Sequence, residues 1–164
     1  MSKNPGGPII LPLTTYVERS LTSILKASSD DAFSTAFDDF YSKELKEITF
    51  NGKKLSREHY KQQIKAASNA RNTVTFGGIV SVPLNTKENE PESGFVGVFI
   101  TASFPFTVVD GAPVDRTLNS SLNITVKEDD SLKLPIGAER RRVFSVDQVS
   151  VDKTGSISFP PPPK

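Results

Sequence analysis

The 37 residues from Ser28 to Ile64, SSDDAFSTAFDDFYSKELKEITFNGKKLSREHYKQQI, carry a helix, a strand with its turn, and a second helix opening. Ser28, Ser29, Asp30 and Asp31 supply N-cap oxygens and first-turn negative charge, and Phe33, Phe37, Phe40 and Tyr41 follow at helical spacing. Ile48-Thr49-Phe50 then reads as a strand. Asn51-Gly52 tolerates the positive φ angles of a tight hairpin turn, so the chain folds back at once. Ser56 is the next N-cap, with Leu55 and Tyr60 placed to meet as a hydrophobic staple, and a third helix is expected over 57–70, burying Tyr60, Ile64 and Ala67.

Upstream, Val17, Leu21, Ile24 and Leu25 form one apolar stripe and predict a first helix from Thr14 to about Ala27. Downstream the period shortens to two. Val74 and Phe76 alternate, Gly77-Gly78 suggests a bulge, and Val80, Val82 and Leu84 resume. From Phe95 to Phe106 nearly every residue is apolar or small, the pattern of a central strand covered on both faces. Asp110-Gly111 turns the chain. Leu118, Leu122, Ile124 and Val126 alternate with Thr117, Asn119, Ser121, Asn123 and Thr125, giving a strand dry on one side and wet on the other, and Arg142–Val151 closes the set.

These patterns predict an α+β fold with three N-terminal helices packed on a strongly curved antiparallel sheet. Residues 1–13 are expected as an extended arm, 14–152 as a single domain, and 153–164, ending in Phe159, four prolines and Lys164, as a flexible tail. At 164 residues, one domain buries roughly 70% of its unfolded surface and needs no staples.

Composition narrows the function classes. Twenty lysines and arginines stand against nineteen aspartates and glutamates, so no long-range field draws nucleic acid or an anionic membrane. The chain has no cysteine, which removes disulfides, thiolate metal sites and a cysteine nucleophile. One histidine and scattered carboxylates offer no compact metal set, and no cofactor is expected. The short apolar run from Pro8 to Leu13 is neither a signal peptide nor a membrane span, which points to the cytoplasm, with nuclear access left open.

In order and spacing, the stretch 28–64 and the closing RRRVFSVDQVSV resemble the nuclear transport factor 2-like superfamily over about residues 14–152. The resemblance implies a cone with an internal pocket between the helices and the concave sheet face, and often a dimer through the other face. The pocket would then be lined by Leu21, Phe37, Tyr41 and Tyr60, together with Ile64, Phe76, Phe99 and Phe144. A fold shared by many chemistries does not select one of them.

Catalytic raw material is sparse. His59 alone cannot build the His-Asp arrangement of the dehydratases in that superfamily, and the isomerase positions fall on Leu21 and Thr49-Phe50. Asp38 and Asp39 diverge by about 100° on a helix, which suits a solvated face. Asp147 with Arg140, Arg141 or Arg142, Tyr60 and His59 is the one set that catalysis could use.

Two functions are therefore weighed. One is a non-catalytic module that binds an apolar small molecule in the cone or acts as a dimer. The alternative is a cofactor-independent lyase, isomerase or hydrolase acting on an apolar metabolite. A homodimer is expected because the 95–106 strand is apolar on both faces, Phe95 and Phe99 on one and Val96, Val98 and Ile100 on the other.

Overall fold

The computed structural model describes residues 9–85, 87 and 89–156; the first eight residues of the expected arm and the Pro-rich tail from 157 onward lie outside them. Three helices, α1 (Leu13–Leu25), α2 (Asp30–Phe40) and α3 (Arg57–Ala67), accompany six strands. The strands are β1 (Glu47–Phe50), β2 (Lys53–Lys54), β3 (Thr73–Pro83), β4 (Gly94–Val109), β5 (Ala112–Glu128) and β6 (Arg141–Ser156). The last strand thus extends four residues beyond the boundary at 152.

Local chemistry accounts for most of the ends. Ser29 accepts from the Ala32 amide at 3.1 Å, and Ser56 from the His59 amide at 3.2 Å, so both expected caps form. Helix α1 follows Pro12 and has no side-chain cap of its own; its Leu13 amide is satisfied by the Glu92 carboxylate, 3.1 Å away across the fold. Asn51 and Gly52 take φ of 49° and 77°, the left-handed pair that a two-residue hairpin needs between β1 and β2.

The sheet runs β2-β1-β6-β5-β4-β3. It is mixed where an antiparallel sheet was expected, because β1 lies parallel to β6. Parallel neighbours require a long crossover, and the chain between them forms α3 and four strands, β2 to β5. Register shifts at Phe76/Gly78, Phe104/Thr107 and Thr125/Val126 are bulges that bend the strands.

The helices cover one face. Val17, Leu21, Ile24, Phe33, Phe37, Phe40 and Tyr60 meet Val96, Val98, Ile100, Leu122, Ile124 and Val146 in one core. Its aromatic centre is tight, with ring centroids 4.5 Å apart for Phe37–Tyr41 and 5.4 Å for the edge-on pair Tyr41–Tyr60. Asp38, expected on a solvated face, instead ties α2 to α3 through Arg57 at 2.9 Å and Lys61 at 3.2 Å, while Asp39 stays exposed. Partial burial raises the Asp38 carboxyl, but the hydrogen bonds from Arg57 and Lys61 outweigh it and hold the group below the usual carboxylate range.

Candidate functional site

The sheet face turned away from the helices is the least satisfied surface among the described residues. Strand alternation puts Val80 and Val82 of β3, Phe95 and Phe99 of β4, and Val149 and Val151 of β6 on it, with Val80 72% and Val149 62% exposed. Between these apolar flanks runs the polar row of β5, Asn119, Ser121, Asn123 and Thr125, in register with both neighbours.

A trough of about 680 Å³ crosses this face from Val80 and Phe95 to Thr49 and Asp147. Its floor is low at Gly97, where a Cβ would stand 3.3 Å from Asn123 Oδ1 and 3.5 Å from a Val80 methyl. Ser145 donates to Thr125 at 2.7 Å along one side. Asp147 makes no hydrogen bond or ion pair among the described residues, and Lys46, Lys54 and Glu47 stand at the far rim. The trough therefore offers hydroxyls, an amide and an unengaged carboxylate beside an apolar wall.

On the helix side the interior is nearly full. A cavity of about 20 Å³ lies between Leu21, Tyr41, Ile64, Leu122 and Gln148, a volume that holds one water and little else. Beside it a polar chain crosses the core. The Tyr60 hydroxyl donates to Gln148 Oε1 at 2.7 Å, so the 3.1 Å contact with Tyr41 must be donated by Tyr41. Gln148 Nε2 donates to Ser120 at 3.3 Å, and Ser120 lies 2.7 Å from Ser150. Burial pushes the Tyr41 and Tyr60 phenols well above their ordinary range.

The residues expected to line a pocket separate into three groups. Leu21, Tyr41 and Ile64 line the small cavity, and Tyr60 and Phe37 pack beside it in the aromatic cluster. Phe76 pairs with Ile100 and lies half-buried against the core. Phe99 and Phe144 do not belong there. Phe99 has the parity of Phe95 and Gly97 and rests its ring on Gly77 of the free face, while Phe144 falls at the β6 bulge with Lys127 Nζ 6.0 Å from its ring centre.

The catalytic set does not converge either. Asp147 is on the free face, Tyr60 is wholly buried on the opposite side, and His59 is exposed on α3. Arg140 binds the carbonyls of Leu132 and Leu134, and Arg142 those of Glu139 and Arg141. Arg141, expected on a solvated run, is fully buried: Nε and Nη2 both reach the Glu139 carboxylate at 2.8 Å, and Nη2 also holds the Leu11 carbonyl at 2.9 Å. All three arginines thus hold backbone together.

Sequence reasoning passed over Gln148, Ser120 and Gly97. Ser120 did carry a signal, since it sits at the dry parity between Leu118 and Leu122. No three metal-binding side chains come together among the described residues, and none of their helices is long and apolar enough to cross a membrane. Comparison with models of known families, with curated proteins and with solved structures finds no match to this chain.

Proposed function

We propose that this protein is a non-catalytic interaction module that works as a homodimer through the free face of its sheet. The observation that carries the reading is that face itself: six exposed apolar side chains on β3, β4 and β6 flank a polar centre, on a chain whose other sheet face is already covered. Val80, Val82, Phe95 and Phe99 adjoin one another on β3 and β4, with Val149 and Val151 beyond the polar row, and exposed apolar clusters of this kind mark interaction surfaces. Five strands about 4.8 Å apart, over about seven residues at about 3.3 Å each, give roughly 500 Å² of projected area per copy. That is compatible with the roughly 800 Å² of accessible surface that each partner of a stable pair buries.

The order of three helices, early hairpin and long strands, with helices on one face, favours membership of the nuclear transport factor 2-like superfamily. Small-molecule binding in the interior draws less support from a cavity of about 20 Å³.

Sedimentation equilibrium at micromolar concentration tests the proposal. The expected species has twice the 17.9 kDa of one chain, and Val149→Glu, which puts a charge on the exposed face, returns it to one chain with its circular dichroism spectrum retained. Wild-type protein at 17.9 kDa throughout overturns the reading.

A further inference from the structure

Taking the homodimer reading as its base, we infer that the two copies are related by a twofold axis running along β5, and that the Asp147 carboxylate of each seats over the partner's Gly97. The argument is one of relief. A face-to-face pair has its twofold axis in the plane between the copies, and the two directions that keep the strands of both sheets aligned are along the strands and across them.

Registered residues form rows across the face. One row reads Thr49, Asp147, Asn123, Gly97, Val80 from β1 to β3. Its neighbour on one side reads Glu47, Ser145, Thr125, Phe95, Val82; the row on the other side contains Val149, Ser121 and Phe99. An axis along β5 lays each row over the same row of the second copy, reversed. Phe95 then meets the partner's Ser145, Phe99 meets the partner's Val149, and Asp147 meets the partner's Gly97. In these three pairs a larger group opposes a smaller one, while the β5 residues on the axis meet their own copies.

The seat at Gly97 suits a carboxylate. No side chain rises from the glycine, and Asn123 Oδ1 stands 3.3 Å from the position a Cβ would take, so that a half-turn of the amide presents its Nδ2 donor to an incoming oxygen. A buried carboxylate needs such a donor, and Asp147 has none within its own chain among the described residues. Asp147 and Gly97 are each one strand from β5, so sheet twist between the copies displaces this pair least.

The other axis is worse on both size and charge. Laid across the strands through the Asn123 row, it brings Asp147 onto the partner's Asp147 and Phe95 onto the partner's Phe99. Facing like charges in an interface oppose association.

Because the chain has no cysteine, single cysteines report the axis directly. Facing sheets stand about 10 Å apart, within reach of a short bismaleimide. With the axis along β5, Ser121→Cys and Asn123→Cys each cross-link to their own copy in the partner; an axis across the strands allows at most one of them, and that outcome, or neither, overturns the inference while a dimer by sedimentation leaves the homodimer reading standing. A monomer by sedimentation removes both. The seat has its own test. Gly97→Ala should weaken the dimer about tenfold when Asp147 is present and less than about threefold in an Asp147→Ala background. Equal effects in the two backgrounds overturn the seat.

Discussion

The guanidinium of Arg141 lies 4.5 Å over the ring of Tyr16, and the Tyr16 hydroxyl donates to the Arg141 carbonyl, so one contact pins the start of α1 to the start of β6 from both sides. The same guanidinium holds the Leu11 carbonyl and, at 3.3 Å, that of Glu92, whose own carboxylate receives the first amide of α1. A buried cation stands at the junction of the N-terminal segment, the loop before β4, and β6.

Removing its counter-charge should therefore be costly. Glu139→Gln leaves Arg141 buried without a carboxylate, and the expected loss is about 2–3 kcal/mol, below the usual range for breaking a buried pair because Glu139 is itself partly exposed and the carbonyl partners remain. Burial raises the Glu139 carboxyl, but hydrogen bonds from Arg141 outweigh it and hold the group below its ordinary range. A depressed folded pKa contributes stability that is complete above the unfolded value, about 4.3, and is lost as pH falls through the folded one. Urea unfolding of wild type and variant from neutral to acid pH checks this: the two should converge as the solution acidifies, and parallel curves would refute it.

Arg116 provides the contrast. It meets Asp152 at 2.7 Å and the Ala66 carbonyl at 3.2 Å, with both charged side chains about two-fifths exposed. Exposed pairs contribute about 0–1 kcal/mol, and Arg116→Ala should cost no more than that by denaturant unfolding. A loss as large as that of Glu139→Gln would mean that burial does not separate the two pairs.

Within the tyrosine chain the middle member should matter most. Tyr60→Phe strips Gln148 Oε1 of its donor and Tyr41 of its acceptor at once, costing about 1–3 kcal/mol by the price of buried unpaired groups. Tyr41→Phe removes only the terminal donor, since Tyr60 keeps Gln148, and its loss should be clearly smaller. Chemical denaturation ranks the two; the reverse order would contradict the donor assignment.

How much of this was legible beforehand depends on range along the chain. Ser29, Ser56 and Asn51-Gly52 act within a few residues of themselves, and their caps and turn formed as the sequence implied. The alternation of Leu118 to Val126 likewise gave the correct faces of β5. What alternation cannot say is which of two apolar faces receives the helices, so Phe99 was assigned to the interior although Val98 and Ile100 took that side. Arg141 looked like part of a solvated run because its stacking partner, Tyr16, lies 125 residues away. Parallel pairing of β1 with β6 left no local trace for the same reason.

All three tyrosines, Tyr16, Tyr41 and Tyr60, are buried, and for each burial pushes the phenol upward from its ordinary value near 10. A folded pKa above the unfolded one gives stability that is complete below the unfolded value and is lost as pH rises toward the folded value. The unfolded chain can release three protons in alkali that the folded chain retains, so rising pH beyond about 10 should draw the protein toward unfolding. Phenolate absorbance near 295 nm and far-ultraviolet circular dichroism, followed together in an alkaline titration, should therefore change in one steep, coincident step. A gradual phenolate signal near pH 10 with the dichroism intact would show that at least one tyrosine meets solvent in the folded protein, and would break the burial assigned to all three.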